Sequence, residues 1–567
     1  MLRQLSWRKI LAGLFFFAAI CAAVWSVSRE STDTSGQLPW YSIVPPLLAI
    51  TLAFVTQKVV PSLGVAIAAG AFLSEVPGAA LDIGAWAEGS GRIVRLFWNT
   101  IRDVGNIQIL VFIPLIFVTI ELVIRSGGFQ GILRWLARCI RGRRSAQGAT
   151  GLMGVLCFID DYANAMIVGS MMQPITDRFR ISRQKLAFLV DATSAPIAGL
   201  AVISTWIAYE VGLLGDTAAQ LAIDKNGYSM FFDALAYRFY CWLMIAFVFL
   251  HIALRRDFGP MRKAEESVDN ENPESPRGRV MPMRIDGEAP AHPRAINAIL
   301  PLGGLLVFHI TGLWVDGSGP QLLQEGGSLW STSYWRHVIS AAKNTHIILD
   351  MAGLFGLITA LFCAILFAAL SARDIRRCFV RGLRRASVPI VILILAWTLK
   401  SSCSDLGTGR FLTSMLAGKV PGWLFPPIVF VVASITSFAT GTSYGTMAIL
   451  IPTATPIAFA LDGEVYGLIT IMSIGAVLDG AIFGDHCSPI SDTTIMSSMA
   501  TSCDLMAHVR TQLPYSVSVA TIALLLAYLP SGLGLPSWLS LAIAVAGLFL
   551  VLVMVPARVR SACGRTM

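Results

Sequence analysis

The densest group of reactive side chains lies in the segment GDHCSPISDTT at residues 484–494. Two acids, a histidine and five hydroxyl or thiol groups follow an apolar run without a gap. Pro489 cannot continue a helix, and the break that it predicts frees backbone carbonyls. Such oxygen ligands suit a small hard cation. The alternative is that this segment is a polar loop at the membrane interface. The predicted binding side chains here are Asp485, His486, Ser488, Ser491, Asp492 and Thr493.

Three further segments carry polar groups inside apolar stretches. The block at 191–196 places Asp191 beside a proline, so this acid is predicted either to bind the ion or to cap a helix break. Acids at membrane depth usually mark ion pathways or proton relays. The segments at 160–164 and 440–446 add acids, an amide and hydroxyls. The predicted binding residues in these segments are Asp160, Asp161, Asn164, Asp191, Thr193, Ser194, Thr442 and Ser443.

The composition places these groups in a membrane protein. Of the 567 residues, 55% are hydrophobic and only 14% are charged, against about 25% in a soluble domain. The apolar runs are continuous, which argues against a β-barrel. The ten cysteines form no CxxC pair, so neither a disulfide framework nor a zinc site is expected. Runs of about 18 residues or more cross a bilayer as helices. The predicted spans are 10–27, 42–57, 59–74, 107–124, 186–213, 234–254, 295–314, 346–371, 387–400, 466–484, 514–530 and 537–556.

Two interrupted apolar stretches, 146–172 and 424–460, are predicted to be re-entrant hairpins. The first lies between the basic segments 125–144 and 176–185, which the positive-inside rule places in the cytoplasm. The second follows the basic run 373–385 and one span, and its own flanks carry little positive charge. We therefore expect the two hairpins to enter the membrane from opposite sides.

A weak internal repeat supports this arrangement, because aligning Pro196 with Pro489 also aligns two hydroxyl pairs eight residues later. The predicted fold is an all-α polytopic membrane protein with inverted-topology repeats, two re-entrant hairpins and about 12 transmembrane helices. The run 10–27 follows basic residues, as in a signal peptide, but its length favours a retained helix. The balanced, proline-rich segment 255–294 predicts a disordered cytoplasmic linker. The predicted units are an N-terminal membrane helix at 1–39, repeats at 40–254 and 295–530 around the linker 255–294, and a C-terminal helix and tail at 531–567.

The motifs FIDDYAN at 158–164, TGTSYGT at 440–446 and FGDHCSPISDTT at 483–494 resemble those of the NhaC-type sodium/proton antiporter family. The resemblance covers about residues 40–530. It implies a fold similar to that of the ion transporter superfamily, with inverted repeats and two hairpins. It also implies a bacterial inner-membrane protein, and members of this family exchange sodium for protons, malate for lactate, or transport amino acids.

We therefore expect a sodium/proton antiporter in which both ions compete for carboxylates, chiefly Asp485 and Asp492, the predicted ligands of the transported Na⁺. The first alternative is an ion-coupled exchanger of a dicarboxylate, monocarboxylate or amino acid in the same fold. A membrane enzyme or nucleotide-driven pump is disfavoured, because the sequence has no zinc pair, P-loop or Gly-x-Ser-x-Gly element. No cofactor and no nucleic-acid partner are expected. The expected partners are the lipid bilayer, sodium ions, protons and a small organic substrate. Both termini are expected in the cytoplasm, and the sequence is compatible with an oligomer.

Overall fold

A computed structural model describes residues 40–56, 58–75, 83–270, 293–408, 411 and 421–554. Helices make up most of these residues, and no strand occurs among them. The helices before the central segment are α1 (Val44–Thr56), α2 (Val59–Glu75), α3 (Ile83–Arg102), α4 (Val104–Arg125), α5 (Gly128–Ala137), α6 (Arg143–Leu156), α7 (Asp161–Arg178), α8 (Arg183–Ala192), α9 (Ala195–Leu200), α10 (Thr205–Gln220), α11 (Gly227–Leu235), α12 (Phe239–Leu254) and α13 (Gly259–Asn270). Those after it are α14 (Ile296–Asp316), α15 (Gly319–Gln324), α16 (Thr332–Ala341), α17 (Thr345–Leu366), α18 (Ala372–Asp405), α19 (Phe425–Thr440), α20 (Ser443–Leu461), α21 (Leu468–Cys487), α22 (Asp492–Ala500), α23 (Leu505–Gly532) and α24 (Ser537–Met554).

The protein is an all-helical, multi-pass membrane protein. In the part of the chain that the structure describes, nine helices are long and apolar enough to cross a membrane. The number rises to eleven if two bent helix pairs each count as one span. These pairs are α8–α9 with α10, bent by 43°, and α11 with α12, bent by 48°. The predicted span at 10–27 lies outside the described residues.

The two halves repeat one order of elements: a helical hairpin, a broken helix and a further helix. The hairpins are α6–α7 and α19–α20, and the broken helices are α8–α9–α10 and α21–α22. The 14 residues of α6 extend about 21 Å, less than a hydrocarbon core of about 30 Å, which suits a re-entrant hairpin. In the second hairpin, α19 with the turn before it (Gly422–Thr440) and α20 are both long enough to count among the nine candidate spans. The predicted entry of the two hairpins from opposite sides of the membrane stays a prediction.

Each hairpin turns at a residue that caps its second helix. Asp160 precedes α7, and its Oδ2 accepts a hydrogen bond from the Ala163 N–H at 2.8 Å. Thr442 precedes α20 and accepts from the Gly445 N–H at 3.4 Å. Gly441, with a φ of 67°, supplies the left-handed turn of the second hairpin, which favours glycine. Both tips therefore follow from local capping chemistry.

The predicted proline alignment coincides with breaks in two matching helices. In the first half the chain leaves helical geometry at Thr193 and Ser194, immediately before α9, and Pro196 occupies the first turn of that short helix. In the second half α21 ends at Cys487, and Pro489 lies in the nonhelical link to α22. The span predicted at 186–213 is thus three helical pieces, and it continues to Gln220.

The buried centre of the second half is α21, which packs closely against α19. The most apolar stretch of α21 is 78% buried, compared with 22% for the peripheral α24. Gly480 and Gly484 lie four residues apart on α21. A Cβ on Gly480 would approach the Phe430 carbonyl oxygen to 2.5 Å, and one on Gly484 would approach the Phe438 nitrogen to 2.7 Å. Small residues at this spacing let two membrane helices pack backbone to backbone.

The basic run 373–385 and the predicted span 387–400 belong to one continuous helix. A single 34-residue helix, α18, covers both and extends about 51 Å, longer than the hydrocarbon core. Its basic half pairs with α4: Arg385 with Glu121, and Asp374 with Arg125 at 3.0 Å. These ion pairs fasten the basic half of α18 to α4.

The prediction of a disordered linker at 255–294 is wrong for its first part, where α13 begins at Gly259. The buried Glu265 of α13 accepts from the Ser182 N–H at 2.7 Å and pairs with Arg143. These partners lie at the starts of α8 and α6, so the segment is fastened to the first repeat. Residues 271–292 lie outside the described residues, as do 1–39 and 555–567.

Asp257, in the loop before α13, adds a second fastening. Burial alone would raise the pKa of this carboxyl. The charge of Lys185 and the hydrogen bonds from Lys185 and Tyr515 outweigh burial and hold the pKa below its usual value. Asp257 is therefore a stabilising anion in the folded protein.

Candidate functional site: unpartnered carboxylates between the repeats

Asp485 lies in the last turn of α21, just before the helix break. Its side chain is 4% exposed. Oδ2 accepts a hydrogen bond from the Thr493 hydroxyl at 3.2 Å, across the break, but the buried Oδ1 has no hydrogen-bond partner among the described residues. An ionised carboxylate with a free oxygen in such a place needs a proton or a cation.

Asp161 presents a second unsatisfied carboxylate at the tip of the first hairpin. It is the first residue of α7 and is buried, and neither of its oxygens has a hydrogen-bond partner within the described ranges. Its neighbour Asp160 differs, because Asp160 accepts from the Ala163 N–H and from the Thr205 hydroxyl at 3.1 Å. Adjacent acids therefore have distinct roles: Asp160 caps the helix, and Asp161 is available to a ligand.

These two unsatisfied acids come from different repeats and lie close enough to interact electrostatically. The hairpin helix α7 packs directly on α22, since a Cβ on Gly169 would lie 2.7 Å from the Ala500 Cβ. The Tyr162 hydroxyl lies 3.4 Å from Asp492 Oδ2 across the same interface. The tip of one hairpin thus faces the broken helix of the other repeat.

Asp191 occupies the centre of a buried network that joins the repeats. It lies in α8 and accepts hydrogen bonds from four side chains of the second repeat. The donors are Thr494 at 3.5 Å, Ser497 at 3.2 Å, His508 at 3.3 Å and Gln512 at 2.7 Å. Because protein donors occupy both of its oxygens, this network supports a positioning role for Asp191.

His486 is held on three sides. Its Nδ1 lies 2.8 Å from the Tyr240 hydroxyl and its Nε2 lies 3.8 Å from Asp191 Oδ2. Its backbone carbonyl accepts a hydrogen bond from Gln512. The histidine therefore connects α21 to α12, α8 and α23, directly beside Asp485.

The amide of Asn164 fixes the first hairpin against the first broken helix. Its Nδ2 donates at 2.8 Å both to the Gly154 carbonyl, in the other hairpin arm, and to the Thr193 carbonyl at the break. The Thr193 hydroxyl donates within its own helix, to the Leu189 carbonyl at 2.7 Å. The Ser194 hydroxyl is buried and has no partner among the described residues, so it remains available to a ligand.

The second hairpin tip bonds to the helix that carries Asp485. The Ser443 hydroxyl donates to the Ala481 carbonyl at 3.2 Å, and Ser488, in the break, donates to the Phe438 carbonyl at 2.7 Å. Ser491 and Thr493 share a hydrogen bond of 2.9 Å at the start of α22. Hydroxyl oxygens thus surround the break on the side of Asp485.

The predicted site residues lie along the interface between the two repeats, and two of them differ clearly in side-chain burial. Asp492 is exposed at the start of α22, whereas Asp485 is buried, and the two interact electrostatically. Within the described ranges no group of three or more His, Cys, Asp and Glu side chains is arranged to hold a metal ion. A sodium ion bound at Asp485 would therefore take hydroxyl and carbonyl oxygens as its other ligands.

Sequence reasoning missed several buried polar residues. His508 and Gln512 lie four residues apart, on one face of α23. This spacing could have identified them from the sequence as a pair of polar side chains on the same helix face. Glu210 lies only three residues before the end of the predicted span 186–213. It is fully buried in α10, and it faces Arg238, which was also missed.

Comparison with known proteins decides the family. A sequence model of the Na⁺/H⁺ antiporter family matches residues 197–532. The chain belongs to this family. Its transport class is therefore that of a secondary antiporter, and the relatives whose activity is named are antiporters.

Individual relatives cover the chain to different extents. An uncharacterized protein of Haemophilus influenzae is 31% identical over 490 residues, which span 85% of this chain and 89% of that protein. The malate-2H⁺/Na⁺-lactate antiporter of Bacillus subtilis is 30% identical over 183 residues, 32% of this chain and 38% of its own length. The Na⁺/H⁺ antiporter NhaC of Alkalihalophilus pseudofirmus is 30% identical over 138 residues, 24% of this chain and 29% of its own length.

A solved structure has a similar fold. The crystal structure of the Alcanivorax borkumensis YdaH transporter matches with a TM-score of 0.52 at 14% identity, over 81% of this chain and 91% of that one. At this identity the similarity supports the fold alone. That structure is described as having an unusual topology.

Proposed function

We propose that the protein exchanges sodium ions for protons across the bacterial inner membrane, with both of its termini in the cytoplasm. The observation that carries this proposal is the pair of buried, unsatisfied carboxylates, Asp161 and Asp485. An acid at membrane depth costs about 2.5–3.5 kcal/mol on insertion scales, and a bound proton or cation removes its charge. Because one carboxylate cannot hold both at once, proton and sodium ion compete.

The surrounding groups favour a sodium ion as the competitor. Hydroxyls of Thr493, Ser491 and Ser443 lie beside Asp485, and the helix break at 488–491 adds backbone carbonyls. Such hard oxygen ligands suit a small hard cation. The negative end of a helix dipole, at the end of α21, also favours a cation.

Alternating access converts this competition into exchange. The carboxylates lie where the two repeats meet, so a movement of one repeat against the other exposes them to each side in turn. Asp485 then releases a sodium ion on one side and a proton on the other. Asp191 keeps the broken helices in register during this movement, through its four side-chain donors.

The relatives favour a second candidate, the exchange of an organic solute. They include a malate-2H⁺/Na⁺-lactate antiporter and an arginine/ornithine antiporter, ArcD, of Halobacterium salinarum. In that case the carboxylates would bind the coupling ion, and the organic substrate would bind nearby in the same interface.

Purified protein in proteoliposomes distinguishes the two candidates. A pH-sensitive dye inside the vesicles reports proton movement when sodium is added outside, and radioactive sodium reports the opposite flux. Sodium-driven proton movement in salt alone supports the proposal. Movement that begins only after malate, lactate, arginine or ornithine is added supports organic exchange and contradicts it.

Three variants locate the site. Asp161→Asn and Asp485→Asn keep the size of the side chain but cannot ionise, so each should lower both fluxes at least tenfold. Asp224→Asn is the matched control, because Asp224 is exposed in the loop after α10. Wild-type fluxes in both site variants would remove these carboxylates from the mechanism.

A further inference from the structure

A second buried cluster of charges lies away from Asp161 and Asp485. It consists of Glu210 in α10, Arg238 between α11 and α12, and Asp479 in α21, and none of the three has exposed surface. Arg238 Nε donates to Asp479 Oδ1 at 3.0 Å, and Arg238 Nη1 lies 3.5 Å from Glu210 Oε2. One arginine thus lies between two acids, one from each repeat.

The two acids are not equally satisfied. Asp479 accepts three hydrogen bonds, from Arg238, from the Tyr240 N–H at 2.6 Å and from the Tyr528 hydroxyl at 3.0 Å. Both oxygens of Glu210 are buried, and its one polar contact among the described residues is the 3.5 Å ion pair with Arg238, which is too poorly aligned for a hydrogen bond. Donors stabilise the ionised form of a carboxylate, so Asp479 is the anion that balances Arg238.

The charge count then leaves Glu210 unbalanced. Among the described residues, Arg238 and Asp479 are the charged groups that act on Glu210. Tyr240, Cys241 and Tyr528 are the titratable groups around Asp479 and Arg238. With both acids ionised, the cluster would carry one uncompensated negative charge among fully buried side chains.

We propose that Glu210 is a proton-binding site, separate from the one at Asp161 and Asp485. A proton suits Glu210 because it needs only one acceptor oxygen. A cation would need several oxygen ligands, and the other oxygens of the cluster, on Asp479 and Tyr528, already bond to each other or to Arg238. The balance is simple: the protonated carboxyl releases H⁺ and becomes a carboxylate, which draws Arg238 towards it and away from Asp479.

The cluster contacts both broken helices, so binding or release of a proton there would act on the two helices that move during the proposed transport. Asp479 lies six residues before Asp485 on α21, about 9 Å along the helix axis. In the first repeat, a Cβ on Gly199 of α9 would lie 2.7 Å from Arg238 Nη2. A shift of Arg238 between its two acids therefore acts on α9 and α21 together.

Infrared difference spectroscopy tests proton binding without requiring transport. The background is the double variant Asp161→Asn with Asp485→Asn, in which the proposed transport site cannot ionise. Spectra of the purified protein at increasing pH should retain a protonated-carboxyl band that falls in intensity, and adding Glu210→Gln should remove it. If that variant does not fold, Glu210→Asp in the same background should shift the band. Identical spectra with and without the change at Glu210 would overturn the proposal.

A transport measurement tests the consequence, and this step alone rests on the proposed exchange. In otherwise wild-type protein, Glu210→Gln should lower the number of protons moved per sodium ion, measured from the membrane potential at which net flux stops. Glu210→Asp should restore the wild-type ratio, and Glu464→Gln, in an exposed loop, should not change it. A wild-type ratio in Glu210→Gln with an altered rate would show a structural role and contradict the proposal. Absence of sodium-driven flux in the wild type would refute the proposed function but leave the infrared test intact.

Discussion

Replacing Asp191 by alanine should loosen the contact between the repeats, and the structure gives the size of the effect. The change removes the carboxylate that accepts from four buried donors, on Thr494, Ser497, His508 and Gln512. Hydrogen bonds between membrane helices average about 0.6 kcal/mol, so four of them give a lower limit of about 2.4 kcal/mol. Removing one partner from a buried charged network costs about 3–5 kcal/mol. We expect the free energy of unfolding to fall by about 2–5 kcal/mol.

The assay is unfolding of the purified protein by increasing mole fractions of dodecyl sulfate in mixed micelles, followed by tryptophan fluorescence. Asp191→Asn keeps one acceptor oxygen and should lose about half as much as Asp191→Ala. Asp224→Asn, an exposed control, should stay within about 0.5 kcal/mol of the wild type. Wild-type stability in Asp191→Ala would refute the network as the fastening between the repeats.

Three further predictions follow from packing, charge and topology. Gly484→Ala should destabilise the protein by about 1–3 kcal/mol, because the new Cβ meets the backbone of α19. Gly148→Ala, where nothing lies within 4 Å, should be neutral or stabilising by up to about 1 kcal/mol in the same unfolding assay. Because the pKa of Asp257 is lowered in the folded protein, its carboxylate stabilises the fold above about pH 4, and this stabilisation is lost as the pH falls through the pKa of the folded state. Asp257→Asn should therefore show a smaller drop in thermal stability on acidification than the wild type. Single cysteines at the exposed positions Arg178 and Val465, in a cysteine-free background, should react with an impermeant thiol reagent from the cytoplasm and from outside respectively. Labelling of both positions from the same side would contradict the inverted repeat.

Local rules explain why much of the architecture could be predicted from the sequence. Hairpin tips carry capping residues such as Asp160 and Thr442, and prolines such as Pro196 and Pro489 mark helix breaks, so nearby sequence locates both. Asp485, which directly follows an apolar run, is buried, whereas Asp492 is exposed.

The parts that could not be predicted depend on contacts between distant segments. For Asp191 the sequence predicted ion binding or a helix cap, but its four side-chain donors could not be predicted because they lie more than 300 residues away. Glu265 looked like part of a charged linker, because its partners at Ser182 and Arg143 belong to other helices. The ion pairs between α18 and α4, Arg385 with Glu121 and Asp374 with Arg125, join segments about 250 residues apart in the chain. A single sequence read for periodicity and charge does not contain such pairings.

The central claim is that sodium and a proton compete for the carboxylate of Asp485, and proton release on sodium binding tests it most directly. Purified protein in weakly buffered detergent solution is mixed with sodium chloride, and a pH-sensitive dye records the protons released. Choline chloride is the ionic-strength control, and radioactive sodium measures the ions bound. The account predicts proton release by the wild type in proportion to the sodium bound, and neither binding nor release by Asp485→Asn. Sodium binding by the wild type without proton release, or unchanged release by Asp485→Asn, would contradict it.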